Sequence, residues 1–310
     1  MTLTAPVPAP VRPAPTRRPR RRGWSPYLLI APTVVLIAAF LLYPIGSVFY
    51  YSLQNYNVTQ PYDDGFAGLA NFRHMFTADP LFWQSLRTTV IWVVAQVVLQ
   101  LLLGLLLALI VNERFKARGF VRALVFSPWA VSGVLATGIW VLLYNPTTGA
   151  AHALSLMGIG SGDTAVLSQP TSAFIAVIVA ELWRGVPFFA ILILADLQSV
   201  PADLYEAANT DGAGRWQRFR YVTLPHLRGA IVLTCLLRAV WEFNNVDLIY
   251  TMTGGGPANE TTTLPLYVAR QALTDFNFGY GSALTVVSFL ILLVFSVVFL
   301  RVTKYNAGRD

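Results

Sequence analysis

"LYEAANTDGAGRWQRFRYVTLP" runs from Leu204 to Pro225. It joins two apolar stretches, about 171–196 and 229–250, each long enough to cross a bilayer, since a membrane helix takes about 20 mostly apolar residues. The connection holds five charged residues, three Gly or Pro breaks and four aromatic residues. A plain loop needs none of this. The side of the membrane it occupies orients the whole chain, and its composition asks for a purpose.

Working outward, the same hydropathy test marks six runs, about 27–50, 84–111, 121–144, 171–196, 229–250 and 281–302. The 310 residues are 55% hydrophobic and only 12% charged, where a soluble domain carries about 25% charged residues. The expected fold is therefore all-α: a polytopic membrane protein with a six-helix transmembrane bundle. The third, fourth and fifth runs contain Gly, Pro or charge, which bundle interiors tolerate better than lipid-facing surfaces. The first run is too long for a secretory signal and no A-x-A-like site follows it, so it reads as an uncleaved anchor. Residues 1–23, with "RRPRRR" at Arg17–Arg22, read as a disordered basic tail. The apolar membrane domain then spans 24–305, and 306–310 form a second short tail.

Counting Lys and Arg orients the bundle. With the N-terminus inside, the tail contributes six basic residues, the 112–122 connection four, the 197–228 connection four and the C-terminal tail three, so 17 of 22 lie on one side. The other side holds Arg73, Arg270 and Arg87, while Arg184 and Arg238 lie within runs. This predicts an N-in, C-in topology and places the opening stretch in the cytoplasm.

Several function classes are excluded. The net charge of +7 is spread over tails and connections rather than gathered on a soluble domain, so nucleic acid is not an expected partner. The single Cys235 permits no internal disulfide and no Cys-based metal site, and His74, His152 and His226 form no ligand motif. There is no GxxxxGK[ST] phosphate loop and no nucleophile–base pair, so the chain reads as neither an ATPase nor another enzyme, with no cofactor of its own.

Within the opening stretch, "PADLYEAANT" predicts a short helix: Pro201 suits the first turn, and Asp203 and Glu206 suit the positive end of the helix dipole. Gly212 and Gly214 then break the chain, and "RWQRFRYV" predicts a second short helix ended by Leu224-Pro225. Two uses fit this knob. Small Ala207 and Ala208 beside Glu206 suit close contact with another protein; Trp216, Phe219 and Tyr221 among arginines suit a helix lying on lipid.

A wider set of residues carries a resemblance. Glu206-Ala207-Ala208, then Asp211-Gly212-Ala213, then Leu224-Pro225 resemble the EAA signature of binding-protein-dependent ABC importer permeases. "ELWRGVPF" at Glu181–Phe188, "WEFNNVDLIYTMTGGGP" at Trp241–Pro257 and "FNFGYGSAL" at Phe276–Leu284 resemble the carbohydrate-uptake branch, the maltose- and multiple-sugar-type permeases. The resemblance covers about residues 25–305 and implies the type I ABC importer fold in a bacterial plasma membrane. It implies a heterodimer with a second homologous permease, two copies of an ABC ATPase that binds ATP and Mg2+, and an extracytoplasmic solute-binding protein. It also implies that Glu206, Ala207, Ala208, Asp211, Gly212, Leu224 and Pro225 form a coupling loop, within 197–228, that docks on the ATPase.

The charges inside the fourth and fifth runs are the other candidates. Glu181 with Arg184, and Arg238 with Glu242, are spaced three and four apart, so each pair shares a helix face. Two structural ion pairs and a polar solute pocket, with Trp183 and Trp241 as stacking faces, are both open readings. By position from the EAA motif, the resemblance implies substrate contacts at Glu181, Arg184, Gly185, Phe188, Arg238, Trp241 and Glu242. The substrate expected is a sugar. Glycerol-3-phosphate or a glycerophosphodiester is the alternative within the same branch. A secondary transporter fits less well, because no repeat relates the first three runs to the last three.

Overall fold

A computed structural model describes residues 25–113, 115–158 and 165–303; the tails expected at 1–23 and 306–310 lie outside the described residues. The chain divides into two units, residues 1–47 and 48–310. The first contains α1 (Ser25–Ile37), a π turn at Ala38–Leu42 and the start of α2 (Tyr43–Ser52). Together they make one apolar helix over Leu29–Ser52.

The second unit opens with the end of α2 and a two-stranded antiparallel hairpin, β1 (Gln54–Asn55) with β2 (Gly65–Phe66). There follow α3 (Ala70–Thr77), α4 (Pro80–Asn112), α5 (Arg118–Ala130), α6 (Gly133–Leu143), α7 (Ala150–Leu156) and α8 (Pro170–Leu197). The loop elements α9 (Ala202–Thr210), α10 (Arg215–Arg218) and α11 (Leu224–His226) lead into α12 (Arg228–Phe243). Then come α13 (Asp247–Thr253), α14 (Leu264–Leu273) and α15 (Phe278–Thr303).

Among the described residues, four helices are long and apolar enough to cross a membrane: Leu29–Ser52, Pro80–Asn112, Pro170–Leu197 and Phe278–Thr303. The third apolar run is instead a bent pair, and the helix that begins the fifth is the second member of another. α5 and α6 meet at 95°, and the segment Arg215–His226 meets α12 at 62°. The expected single helix over 121–144 is thus broken at Val131 and Ser132, whose backbones are extended (ψ 135° and 138°). Pro128 precedes the break; lacking an N–H, it leaves the Leu124 carbonyl free, and the Ser127 hydroxyl donates to that carbonyl at 2.8 Å. The fifth helix stops at Phe243 rather than near residue 250. Asn244 takes up a turn (φ −88°, ψ 8°), and the Glu242 carbonyl there accepts from the Asn245 N–H at 3.2 Å and from the indole of Trp92 at 3.1 Å.

The helices pack in alternating directions. Gln96, Gln100 and Gly104 of α4 meet Ile178, Gly185 and Phe189 of α8 in that order, so these two helices run parallel. The chain must therefore return between them. α5 and α6 carry it back along α8: Arg122 donates to the Val111 carbonyl at the end of α4, Trp129 packs on Phe188, and the Tyr144 hydroxyl reaches the Ala176 carbonyl. α12 runs opposite to α8, and Arg228 at its start donates to the Thr303 carbonyl at the end of α15. Gly104 and Gly185 let α4 and α8 approach closely: a Cβ on the first would overlap Phe189, and one on the second would overlap the Gln100 side chain.

At the end of the bundle where α4 begins, Asp79 ties three helices. One carboxylate oxygen accepts from the Leu81 and Phe82 backbone N–H groups at 2.9 and 3.2 Å and so caps α4. The other accepts from the hydroxyls of Tyr267 in α14 and Tyr280 in α15. Burial, with Asp79 accepting its hydrogen bond, pushes the Tyr267 phenol above its ordinary range. Met75, Phe82, Leu264 and Leu284 pack around this knot. Asp79→Ala removes the cap and strands two buried hydroxyls, a loss of about 2–4 kcal/mol. The solubilised protein should aggregate several degrees earlier on heating, with Asp79→Asn milder; equal melting of both variants and wild type contradicts this account.

Candidate functional site

The charges spaced three apart on α8 and four apart on α12 converge on one point with α4. Arg238 is 6% exposed, Glu181 0% and Glu242 1%. The Arg238 Nη2 lies 2.5 Å from Glu181 Oε1 and 2.7 Å from Glu242 Oε1. Its Nε donates to Gln100 Oε1 at 2.7 Å. Gln100 in turn donates to Glu242 Oε1 at 2.9 Å and to Gln96 Oε1 at 2.8 Å, and Gln96 donates to the Ile178 carbonyl. Arg184 completes the set, 3.1 Å from Glu181 Oε2. Two guanidiniums and two carboxylates leave the cluster formally neutral, which is the condition for burying charge in an apolar bundle.

The cluster forms one wall of a cavity of about 310 Å³, lined also by Trp129, Trp241, Asn244, Asn245, Val246 and Asp247. Among the residues expected from sequence, Glu181, Arg184, Arg238, Trp241 and Glu242 line it. Phe188 stands behind: its ring lies 5.8 Å from the Arg238 guanidinium carbon and 5.0 Å from the Trp241 ring. Gly185 faces Gln100 in the α4–α8 seam. Trp183 does not line the cavity but packs edge-on against Trp140 at 6.2 Å. Ion pairing and a polar cavity, set against each other as readings of the sequence, occur together here. Gln96, Gln100, Trp129 and the Asn244–Asp247 turn escaped the sequence reading. Two glutamines four apart inside the apolar run of α4 were a visible signal, by the same one-face rule used for the charges.

The opening stretch forms a bent arm. α9 ends in a Schellman motif: the Gly212 N–H bonds to the Asn209 carbonyl and the Ala213 N–H to the Ala208 carbonyl, at 3.0 and 2.9 Å. Gly212 occupies the left-handed region this motif requires (φ +76°). Arg218 donates to Asn209 at 2.6 Å, and the Tyr205 and Thr223 hydroxyls meet at 2.9 Å, holding the two limbs of the arm together. Glu206 is exposed and has no ion pair among the described residues. Leu224-Pro225 does not end the second helix, as its sequence suggested. The Leu224 N–H closes a π turn on Phe219, the helix continues through Pro225 to His226, and the bend comes at Leu227. The same arrangement occurs at Tyr43, which bonds to Ala38 just before Pro44.

"TGGGP" at Thr253–Pro257 turns through left-handed Gly254 and Gly255 (φ +59° and +90°). It is laced to the buried Thr261 and Thr262, whose hydroxyls donate to the Gly256 and Gly255 carbonyls at 2.8 and 3.0 Å.

A family model for the binding-protein-dependent transport system inner membrane component matches residues 100–308. The chain is 38% identical over 281 residues to the trehalose/maltose transport system permease protein MalF of Thermococcus litoralis, covering 90% of this chain and 94% of that one. It is 34% identical over 277 residues to the sulfoquinovosyl glycerol transport system permease protein SmoG of Agrobacterium fabrum, covering 89% of each. It is 34% identical over 275 residues to the trehalose transport system permease protein SugA of Mycobacterium tuberculosis, covering 89% and 87%. Its fold is that of a chain in the crystal structure of a bacterial ABC transporter involved in importing the acidic polysaccharide alginate, with a TM-score of 0.79 at 23% identity over 92% of this chain and 96% of that one.

The buried cluster predicts an order of damage. Arg238→Met strands Glu242 and deprives Glu181 of its closest partner, whereas Arg184→Met leaves Glu181 paired with Arg238. Removing one partner of a buried pair costs about 3–5 kcal/mol, so the yield of folded protein should fall far more for Arg238→Met than for Arg184→Met. A double Glu181→Gln, Arg238→Met change should recover part of it. Equal loss from both single changes, read by size-exclusion chromatography, counts against the network as drawn.

Proposed function

Because the chain belongs to the family of binding-protein-dependent transport system inner membrane components, a multi-pass membrane family, we propose that it is the permease subunit of an ATP-driven importer of a sugar or sugar-like solute in a bacterial plasma membrane. The observation that carries this reading is the 310 Å³ cavity that joins a buried, hydrogen-bonding charge cluster to the indoles of Trp129 and Trp241. Aromatic faces suit the CH face of a sugar ring, and fixed polar groups suit its hydroxyls. The relatives named for trehalose, maltose and sulfoquinovosyl glycerol support the class.

The charge of the cavity bears on the alternative. Glu181, Glu242 and Asp247 line it together with Arg184 and Arg238, so the lining is formally one negative charge in excess. Arg238 is already engaged by three acceptors. A neutral polyol meets no penalty there, whereas a glycerol-3-phosphate or phosphodiester group meets unpaired repulsion. Substrate contacts are assigned to Glu181, Arg184, Trp241 and Glu242 at the cavity wall, and Arg238 and Phe188 position them.

In this reading six spans run N-in and C-in, each bent pair serving as one, and α9 docks on a partner ATPase. Glu206 meets a basic group there, Ala207 and Ala208 admit close approach, and Asp211 and Gly212 set the turn that presents them. ATP and Mg2+ bind that partner, which supplies the energy of hydrolysis; this chain's part is to transmit movement. The loop leaves α8 at Leu197 and enters α12 beyond Leu224 and Pro225, and these two helices carry Glu181 and Arg238. A displacement of the arm thus acts on both sides of the buried pair. A second homologous permease completes the passage, and a solute-binding protein delivers the substrate at the opposite face.

Two outcomes test this. Trp241→Ala should raise the half-saturating concentration for maltose or trehalose uptake roughly tenfold, equal to about 1.4 kcal/mol, with the complex still assembled; unchanged uptake moves the site to the partner permease. Glu206→Gln should lower uptake and substrate-stimulated ATP hydrolysis together, by about ten- to a hundredfold for one charged hydrogen bond of about 1.5–3 kcal/mol. Normal coupling in an assembled Glu206→Gln complex removes α9 from the role given to it.

A further inference from the structure

The arm of residues 202–226 has two limbs of opposite character. The first, α9, carries Asp203 and Glu206 and ends at Asp211, with no basic residue. The second, Arg215–His226, carries Arg215, Arg218 and Arg220, and the chain contains no acid between Asp211 and Glu242. Its outer surface is aromatic as well as basic: Trp216 is 71% exposed and Tyr221 76%, with Arg215, Gln217 and Arg220 exposed beside them. Its inner surface is anchored, with Thr223 and Leu227 buried and the Phe219 ring packed at a tilt against Trp216, 5.5 Å between centroids. Arg218 is spent on Asn209. On the limb's inner side a cavity of about 430 Å³ is lined by Glu113, at the end of α4, together with Arg215 and Arg218, so Arg215 stands at its edge, exposed to solvent as well.

The limb feeds directly into α12 and leans 62° away from its axis. If α12 stands near the bilayer normal, the limb lies close to the membrane plane, at the depth where amphipathic Trp and Tyr side chains settle. Basic residues at that depth are drawn to anionic headgroups, and acidic ones are repelled. We propose that Arg215–His226 is a membrane-surface foot that binds anionic phospholipid headgroups through Arg215 and Arg220 and inserts Trp216 and Tyr221 at the interface. The acid-bearing limb α9 is thereby held off the lipid and presented to a protein. The π turn at Phe219–Thr223 contributes by adding a residue to the helix, which turns Tyr221 outward while Thr223 still reaches Tyr205. The inference rests on α12 being a membrane span, part of the function proposed above.

The test places a nitroxide at Gln217→Cys, beside the proposed contacts but not one of them, in a Cys235→Ala background. A second label at Leu233→Cys reports on α12. The full chain with its partner subunits is reconstituted in nanodiscs of phosphatidylcholine alone or with phosphatidylglycerol added, with and without the ATPase, and collisions with membrane-dissolved oxygen and an aqueous nickel chelate are compared. The label at 217 should sit at headgroup depth in the anionic discs. Arg215→Gln with Arg220→Gln should release it to water, a change of about twenty-fivefold in partitioning if each basic residue near an anionic surface contributes about fivefold, while Arg215→Lys with Arg220→Lys should retain it. A label at 217 that stays aqueous in both lipids, with 233 in lipid, overturns the proposal. Protection that appears only when the ATPase is added assigns the limb to that protein instead. A label at 233 that is itself aqueous removes the span on which the foot depends.

Discussion

A guanidinium held 6% exposed inside an apolar bundle imposes conditions on everything around it. The desolvation of Arg238 is tolerable only if acceptors surround it. Glu242 from its own helix, Glu181 from α8 and Gln100 from α4 supply them. Three helices are thereby fixed in rotation about their axes, because turning any one by a single residue would withdraw an acceptor. Two carboxylates around one cation leave a negative excess, and Arg184 offsets it from the rim of the cavity. The stretch of chain that reads from sequence as two separate pairs is one object.

The packing that lets these groups meet comes from small residues. Gly185 leaves room for Gln100, and Gly104 leaves room for Phe189. Without water in the surroundings, apolar area gives helices no preference for each other over lipid, so close approach and internal polar contacts decide the pairing. The parallel course of α4 and α8 then forces a return segment. The 95° bend between α5 and α6 brings Gly133 against the Arg184 guanidinium, so the bend sits at the rim of the same cavity.

Much of this was legible. Apolar runs of membrane length are written plainly in composition, and the spacing of Glu181, Arg184, Arg238 and Glu242 places each pair on a face without knowledge of the partner helices. What sequence spacing cannot give is which faces meet. Gln96 and Gln100 mattered only once α4 lay against α8, and Trp183, one residue from Arg184, points to Trp140 because adjacent helical residues are turned by about 100°. The break at Val131–Ser132 carries neither Gly nor Pro at its centre; Pro128 lies three residues earlier, within a helix whose freed carbonyl Ser127 satisfies. At Pro225 the error ran the other way. A proline reads as a stop, but a π turn ahead of it lets the helix continue, and the bend falls two residues later.

The saturation of the cluster bears on how a passage would open. The carboxylates of Glu181 and Glu242 and the amide of Gln100 around Arg238 already have partners, so a solute that binds to these groups must exchange with bonds already made. The exchange is uneven in cost. Drawing Arg238 away would strand two buried carboxylates at once. Drawing Arg184 away strands none, since Glu181 keeps Arg238 at 2.5 Å, and the Arg184 side chain is already 28% exposed. Arg184 is therefore the member of the network free to change partners first. Its neighbour across the rim is Gly133, at the start of α6, where the chain has already given up helical hydrogen bonding. Movement of the α5–α6 bend and release of Arg184 would disturb few bonds beyond their own, while the Arg238 core continued to hold α4, α8 and α12 as one body.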